Sequence, residues 1–208
     1  LRYLRILALS LVLAVTLKVF VADAVTVPSR SMEPAVLPGD CILLDKMGFA
    51  PSFIASRLPS RGDVVAFELP AAARDAGEAG DDRRGALALK RCVAVAGDTV
   101  EFRNNAILVN GVVAVTDVSD PGAFFAEGAQ RLVPRAGGHA VPGGAGTGGD
   151  SADQDYIFVI GDNHAVSLDS RTWGFIPAST VVGKAAMVYW SRAADGDVRW
   201  SRIGSLVR

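Results

Sequence analysis

Cysteine and histidine are scarce in this 208-residue chain, which holds two of each: Cys41, Cys92, His139 and His164. None falls at metal-ligand spacing, so no multi-histidine or multi-cysteine centre is expected, and neither a metal nor another cofactor is implied. A charge excess is missing too. Twenty-one Lys and Arg stand against twenty-two Asp and Glu, which leaves no basic surplus to hold a phosphate backbone and argues against nucleic-acid binding. Half of the residues are hydrophobic, enough to bury a sizeable core, and disorder is excluded as an overall description.

The N-terminus carries a compartment signal. Arg2 and Arg5 precede an apolar or small run from Ile6 to Leu17, followed by Lys18 and a further run from Val19 to Ala22. This reads as a transmembrane helix at the short end of spanning length, with the Lys18 amine snorkelling to the interface. The arginines set the N-terminus in the cytoplasm and the rest of the chain outside. Ala22-Asp23-Ala24 also satisfies the small-x-small rule of a secretory cleavage site, and under either reading the remainder is exported.

Beyond Val25 the pattern changes to short apolar runs bounded by Gly, Asp, Asn or Pro. They cover Cys41 to Leu44, Val64 to Phe67, Leu87 to Ala96, Thr99 to Phe102, Ile107 to Val109, Val112 to Val115, Tyr156 to Ile160 and Val181 to Trp190. Such punctuation predicts a mainly β protein built on an antiparallel sheet. Gly39-Asp40, Gly62-Asp63 and Gly97-Asp98 each precede a run, so they are expected as turns in which Gly supplies positive φ and Asp bonds back to the backbone. Ala71 to Gly85 and Asp120 to Asp155 read as loop insertions, the latter with a glycine-rich portion from Gly137 to Gly149. The expected organisation is a membrane anchor over residues 1–24, a β-rich catalytic domain over 25–102 and 156–208, and an inserted β-hairpin region with the glycine-rich loop over 103–155.

Three segments carry polar chemistry. In Pro28-Ser29-Arg30-Ser31-Met32-Glu33-Pro34 two prolines hold an extended chain around a pair of serines. In Leu89 to Asp98 a lysine, Lys90, sits among apolar residues, and strand alternation would put Lys90, Cys92 and Ala94 on one face. Desolvation favours a lysine's neutral form, the only form that can accept a proton. In Gly161-Asp162-Asn163-His164-Ala165-Val166-Ser167-Leu168-Asp169-Ser170-Arg171, Asp169 and Arg171 are close enough to pair and stiffen a loop that presents Ser167. Taken singly, each segment also reads as ordinary turn or edge-strand chemistry.

In this order and context the segments resemble the type I signal peptidases, bacterial Ser/Lys peptidases of family S26. Ser31-Met32-Glu33-Pro34, Arg61-Gly62-Asp63 through Phe67, Lys90-Arg91 leading to Ala96-Gly97-Asp98, and Gly161-Asp162-Asn163 through Arg171 match the family's four boxes. Ser201-Arg202-Ile203-Gly204 resembles the end of its catalytic domain. The resemblance implies Ser31 as nucleophile and Lys90 as general base, a pairing that needs no histidine. It implies an oxyanion hole from the Ser31 N–H and the Ser29 hydroxyl. Ser167 would orient the Lys90 amine, while Asp169 with Arg171 and Asp162 with Arg91 would brace the loop. Arg30 departs from the pattern, since many members have a small residue there.

The implied activity is endoproteolytic removal of signal peptides after small-x-small sites in exported preproteins, which bind as an added strand. The implied location is the inner (cytoplasmic) membrane, single-pass, with a monomeric catalytic domain on the outer or periplasmic face. Trp190, Trp200, Phe49, Phe53 and Ile54 are candidates for resting on the lipid bilayer. Alternatives are a specialised processing peptidase of a secretion or conjugation system and a catalytically silent membrane-tethered module. A self-cleaving repressor is disfavoured, because the residues before Ser31 are apolar rather than a DNA-reading motif.

Overall fold

The computed structural model describes residues 22–46, 58–69, 87–125, 130–133 and 155–208, with seven positions between 2 and 10. Those seven are helical, and Tyr3, Ile6, Leu7 and Leu9 among them are exposed. No helix among the described residues is long and apolar enough to cross a membrane. Residues 11–21, the body of the expected anchor, lie outside the described residues.

The described chain forms eleven strands: β1 (Ala22–Thr26), β2 (Asp40–Asp45), β3 (Val64–Glu68), β4 (Leu87–Val95), β5 (Thr99–Arg103), β6 (Ala106–Val109), β7 (Val112–Val115), β8 (Arg131–Leu132), β9 (Tyr156–Ile160), β10 (Ile176–Pro177) and β11 (Val181–Ser191). Seven make one sheet in the order β1-β2-β11-β3-β4-β9-β10, and four make a second in the order β7-β6-β5-β8. All pairings between these strands are antiparallel. The mainly β expectation therefore holds. β1 was not expected as a strand, and it begins inside the segment assigned to the anchor, with Ala22, Asp23 and Ala24 paired to β2. The small sheet likewise starts at Thr99, before the expected insertion boundary. The glycine-rich stretch, the 71–85 segment, Phe49, Phe53 and Ile54 lie outside the described residues.

The turns follow from the residues that make them. Gly39, Gly62 and Gly97 have φ of 85°, 89° and 87°. After each, the Asp carboxylate accepts a backbone N–H three residues back: Leu37 to Asp40 at 2.8 Å, Ser60 to Asp63 at 3.0 Å, Val95 to Asp98 at 2.8 Å. Asn104, Asn105, Asn110 and Gly111 all have positive φ, which gives the two tight hairpins of the small sheet the handedness its strand twist requires.

Three apolar clusters hold the sheets. One gathers Val25, Val27, Met32, Val36, Ile42 and Leu89 around the segment that carries the serine pair. A second joins Val65, Phe67, Cys92, Val159 and Trp173. The third packs Val93, Ala94, Phe125, Phe158 and Ile160 against Val100 and Ile107 of the small sheet. A register shift against β9 between Cys92 and Ala94 interrupts the alternation in β4. Ala94 therefore turns to the third cluster with Val93, instead of sharing a face with Lys90 as expected.

Candidate active site

The serine pair stands just beyond β1 on a segment held from both sides. Val25, Val27 and Ser31 are buried, while Thr26, Pro28 and Arg30 are exposed, so the extended chain alternates up to the serines. Met32, 0% exposed, plugs the next position into the core, and the Val36 N–H closes a turn on the Met32 carbonyl at 2.9 Å. The hydroxyls of Ser29 and Ser31 lie 2.9 Å apart, and the Ser31 N–H points at the Ser29 Oγ from 3.5 Å. Two donors suited to a developing oxyanion thus stand side by side.

Opposite them runs the loop from Gly161 to Arg171. Its Asn163 N–H donates to the Ser31 carbonyl at 3.0 Å. Gly161 is required where it sits: a Cβ there would lie 2.5 Å from the Ser31 carbonyl oxygen and 2.6 Å from the Ser167 Cβ, and would also overlap the Ser167 Oγ. Ser167 is itself buried and reaches this junction. The loop is fixed by Asp169, which accepts from the Gly161 N–H at 3.1 Å and from Arg171 Nε at 2.8 Å and Nη2 at 3.0 Å. Arg171 also donates to the carbonyls of Asp120, His164 and Ser167. Asp169 and Arg171 thus form a buried ion pair within the loop.

A second ion pair joins Arg91 to Asp162. Arg91 grips Asp162 with two bonds, Nε to Oδ1 at 2.7 Å and Nη2 to Oδ2 at 2.6 Å, and donates to the carbonyls of Gly62 and Arg208. The neighbouring carboxylate holds the Arg91 guanidinium above its ordinary pKa. Lys90, one residue earlier, is 0% exposed in β4. It pairs with Val65 of β3, and the Arg91–Ile160 pairing, continued by one residue, sets Gly161 on its other side. Cross-strand neighbours share a face, so the Lys90 side chain leaves the sheet on the side to which a Gly161 Cβ would point, toward Ser167 and the Ser31 carbonyl. Leu87, Ala88 and Leu89 of the same strand line a narrow groove with Val25, Val27 and the serine pair.

One brace escaped the sequence reading. Asp40, also 0% exposed, accepts from the Leu37 N–H, from Ser191 Oγ at 2.5 Å and from Arg202 Nη2 at 2.6 Å, while Arg202 donates to the Ala35 carbonyl. Burial pushes this carboxyl up, but Arg202, Ser191 and the Leu37 amide outweigh it and hold it below the usual carboxylate range. It ties the turn after Ser31 to the C-terminal segment, and the only sequence signal was its place in a Gly-Asp turn. Cys92 has no nucleophilic prospect, because burial pushes its thiol up to about 12. Cys41 and Cys92 are both free thiols. His164 is spent on the Gly161 carbonyl at 2.8 Å.

Residues 1–190 match the family described as "Signal peptidase, peptidase S26". The chain is 29% identical to signal peptidase I of Aquifex aeolicus, covering 83% of this chain and 77% of that one. It is 26% identical to signal peptidase I of Leptolyngbya laminosa, covering 90% and 78%. With thylakoidal processing peptidase 1 of Arabidopsis thaliana it shares 29% identity over 85% of this chain, which spans 44% of that relative's length. A crystal structure of signal peptidase I from Enterococcus faecalis V583 aligns with a TM-score of 0.35 at 25% identity, over 62% of this chain and 97% of that one. The chain belongs to the signal peptidase S26 family of serine peptidases.

Proposed function

We propose that this chain is a membrane-tethered endopeptidase that removes signal peptides from exported preproteins, with Ser31 as nucleophile and Lys90 as general base. The observation that carries the reading is the meeting of Ser29, Ser31, Gly161 and Ser167 beside a β4 row that holds a fully buried lysine.

In the proposed reaction the Ser31 Oγ attacks the scissile carbonyl as its proton passes to the neutral Lys90 amine. The Ser31 N–H and the Ser29 hydroxyl donate to the oxyanion. Collapse breaks the C–N bond, the Lys90 ammonium returns its proton to the leaving amine, and an ester on Ser31 remains. Lys90 then takes a proton from water, whose oxygen attacks the ester; as the ester C–O bond breaks, the Lys90 ammonium returns that proton to the Ser31 Oγ, freeing the new carboxyl end and restoring both groups. Ser167 orients the amine. Burial serves the base because an amine out of water favours its neutral form.

The substrate would lie as an added strand between Val25 to Ser29 and Leu87 to Leu89, where the narrow groove admits small side chains. The N-terminal segment and the edge-to-face Trp190–Trp200 pair, with Trp200 72% exposed, fit contact with a bilayer. Every residue assigned to the chemistry comes from one chain, so a monomer suffices. The test is incubation in detergent with a preprotein, followed by sequencing of the new N-terminus. Ser31→Ala and Lys90→Arg should each stay folded and lose about a thousandfold or more in rate, because an arginine cannot act as the base. Near-parental turnover by Lys90→Arg would leave the silent tethered module, or another base, as the better account.

A further inference from the structure

A second groove, about 810 Å³ in volume, opens on the face of the large sheet that carries Thr26, Cys41 and Trp190. These three are cross-strand neighbours on β1, β2 and β11 and so share that face. The next row continues the floor: the Arg192 N–H donates to the Gly39 carbonyl at 3.0 Å, and the Gly39 N–H to the Val27 carbonyl at 2.8 Å. Gly39 brings no side chain to this row, where a Cβ would overlap the Arg192 carbonyl oxygen. The groove therefore stays open between Pro28 on one wall and Arg192 on the other.

The charge of this groove is lopsided. Arg30, Arg192 and Arg199 line it against one acid, Glu33, which is held by Arg30 Nε at 3.1 Å. Arg199 is committed to the Pro38 carbonyl at 2.9 Å and stands 3.8 Å from Asp40, a carboxylate that Arg202 already matches. Asp195 and Asp197 sit on the turn beyond Ala194 and do not line the groove. Arg192 is exposed and makes no side-chain hydrogen bond or ion pair with any described residue. Trp190, on the same wall, packs edge-to-face on the exposed Trp200. An unspent guanidinium thus adjoins an indole pair, a combination suited to the headgroup level of a bilayer.

We infer that this groove seats the phosphate-bearing headgroup of an anionic phospholipid, with Arg192 as the selecting residue. The inference rests on the bilayer contact proposed above for Trp190 and Trp200, and adds the chemistry of the lipid. The apolar run of the expected anchor ends at Ala22, and β1 carries the chain from there to Thr26, about 13 Å at a strand's rise. A headgroup layer accounts for about 6 Å of that span, so the wall of the groove starts close to the bilayer surface. A guanidinium matches a phosphate through paired hydrogen bonds, while the indoles take the boundary between headgroup and acyl chain. Thr26 and Pro28 also line the narrow groove, so a seated headgroup would hold the proposed substrate strand at the membrane. An acidic polypeptide would also be drawn to the arginine, but exposed indoles a short strand away from the expected anchor favour lipid.

The test reconstitutes the full chain in phosphatidylcholine vesicles in which a rising fraction of the lipid is chain-brominated phosphatidylglycerol or chain-brominated phosphatidylcholine, and follows tryptophan quenching. Of the three tryptophans Trp173 is buried, so the quenching reports Trp190 and Trp200. At low salt half-maximal quenching should need about fivefold less phosphatidylglycerol than phosphatidylcholine, the preference one arginine confers near an anionic surface. Arg192→Glu should abolish the preference, whereas Arg103→Glu, an equal change of charge on β5, should keep it. Equal quenching by both lipids in the parent overturns the inference and leaves the bilayer contact standing, whereas quenching by neither overturns that contact itself. Loss of the preference in Arg103→Glu assigns it to net charge, and its loss on adding millimolar inorganic phosphate at constant ionic strength, or a micromolar Asp-rich peptide, assigns the groove to a free anion or a polypeptide; each of these overturns the inference.

Discussion

Removing the Asp169 carboxylate should unseat the loop that meets Ser31. The group is fully buried, and alanine in its place strands an Arg171 guanidinium that is 4% exposed. Breaking a buried pair from one side costs about 3–5 kcal/mol. Arg171 keeps three carbonyl acceptors, at 3.1, 2.9 and 3.1 Å, which places Asp169→Ala near the lower end, about 3 kcal/mol. That is a large share of a domain's total of about 5–15 kcal/mol. Denaturant unfolding of the full chain in detergent, followed by tryptophan fluorescence, reads the loss, since Trp173 closes the helical turn that Asp169 caps. Asp169→Asn retains an acceptor for the Gly161 N–H and should lose less. Combining it with Arg171→Met should recover part of the loss, because an apolar pair tolerates burial where a lone cation does not. A cost below about 1 kcal/mol for Asp169→Ala, or strict additivity in the double variant, would refute the reasoning.

Two further outcomes follow from the same geometry. Gly161→Ala forces a Cβ against Ser167 and the Ser31 carbonyl; it should cost about 1–3 kcal/mol as overpacking and, in protein shown to be folded by circular dichroism, lower kcat at least about tenfold. Unchanged turnover would mean that the junction is not part of the catalytic geometry. Stability should also fall in acid. The Asp40 and Asp98 carboxyls are held below their ordinary range despite burial, by Arg202 and Arg61 respectively. Their contribution is complete above the unfolded value near 3.8 and is lost as pH falls through the depressed native values. Urea midpoints measured from about pH 5 downward should drop in the parent and flatten in an Asp40→Asn, Asp98→Asn double variant; parallel curves would exclude these two groups as the cause.

Strands with alternating or continuous apolar residues were legible in the sequence because Gly-Asp and Asn pairs punctuate them, and the described bounds of β2, β3 and β7 fall within a residue of the expectation. β1 was not legible, since Ala22 to Thr26 continues the composition of the apolar run before it, and only pairing with β2 distinguishes it as strand. The β4 bulge was hidden for a related reason: Val93 and Ala94 are both apolar, so nothing in the sequence marks where alternation fails. At the site, the partners within a short span could be read, as with Asp169 and Arg171. Asp40 and Arg202 lie too far apart in the chain for spacing to suggest them.

The long-range pairs make sense of how irregular backbone can hold the proposed catalytic groups in register. The serine pair and the loop from Gly161 to Arg171 lie outside the ladders, so no strand hydrogen bonds fix them. Each is instead tied by an acid and an arginine whose partner sits on a distant segment or caps the loop itself: Asp40 to Arg202 behind Ser31, Asp162 to Arg91 at the loop's entry, Asp169 to Arg171 at its exit. The planar forks of these pairs fix direction as well as distance, which apolar packing alone does poorly for a turn. Arg91 adds a further constraint, because it follows Lys90 in one strand while its guanidinium is neutralised by Asp162. The strand row that buries the lysine is thereby locked to the loop that carries Ser167. A shift of either would move the proposed base and its orienting hydroxyl together, so that their mutual geometry survives small motions of the sheet.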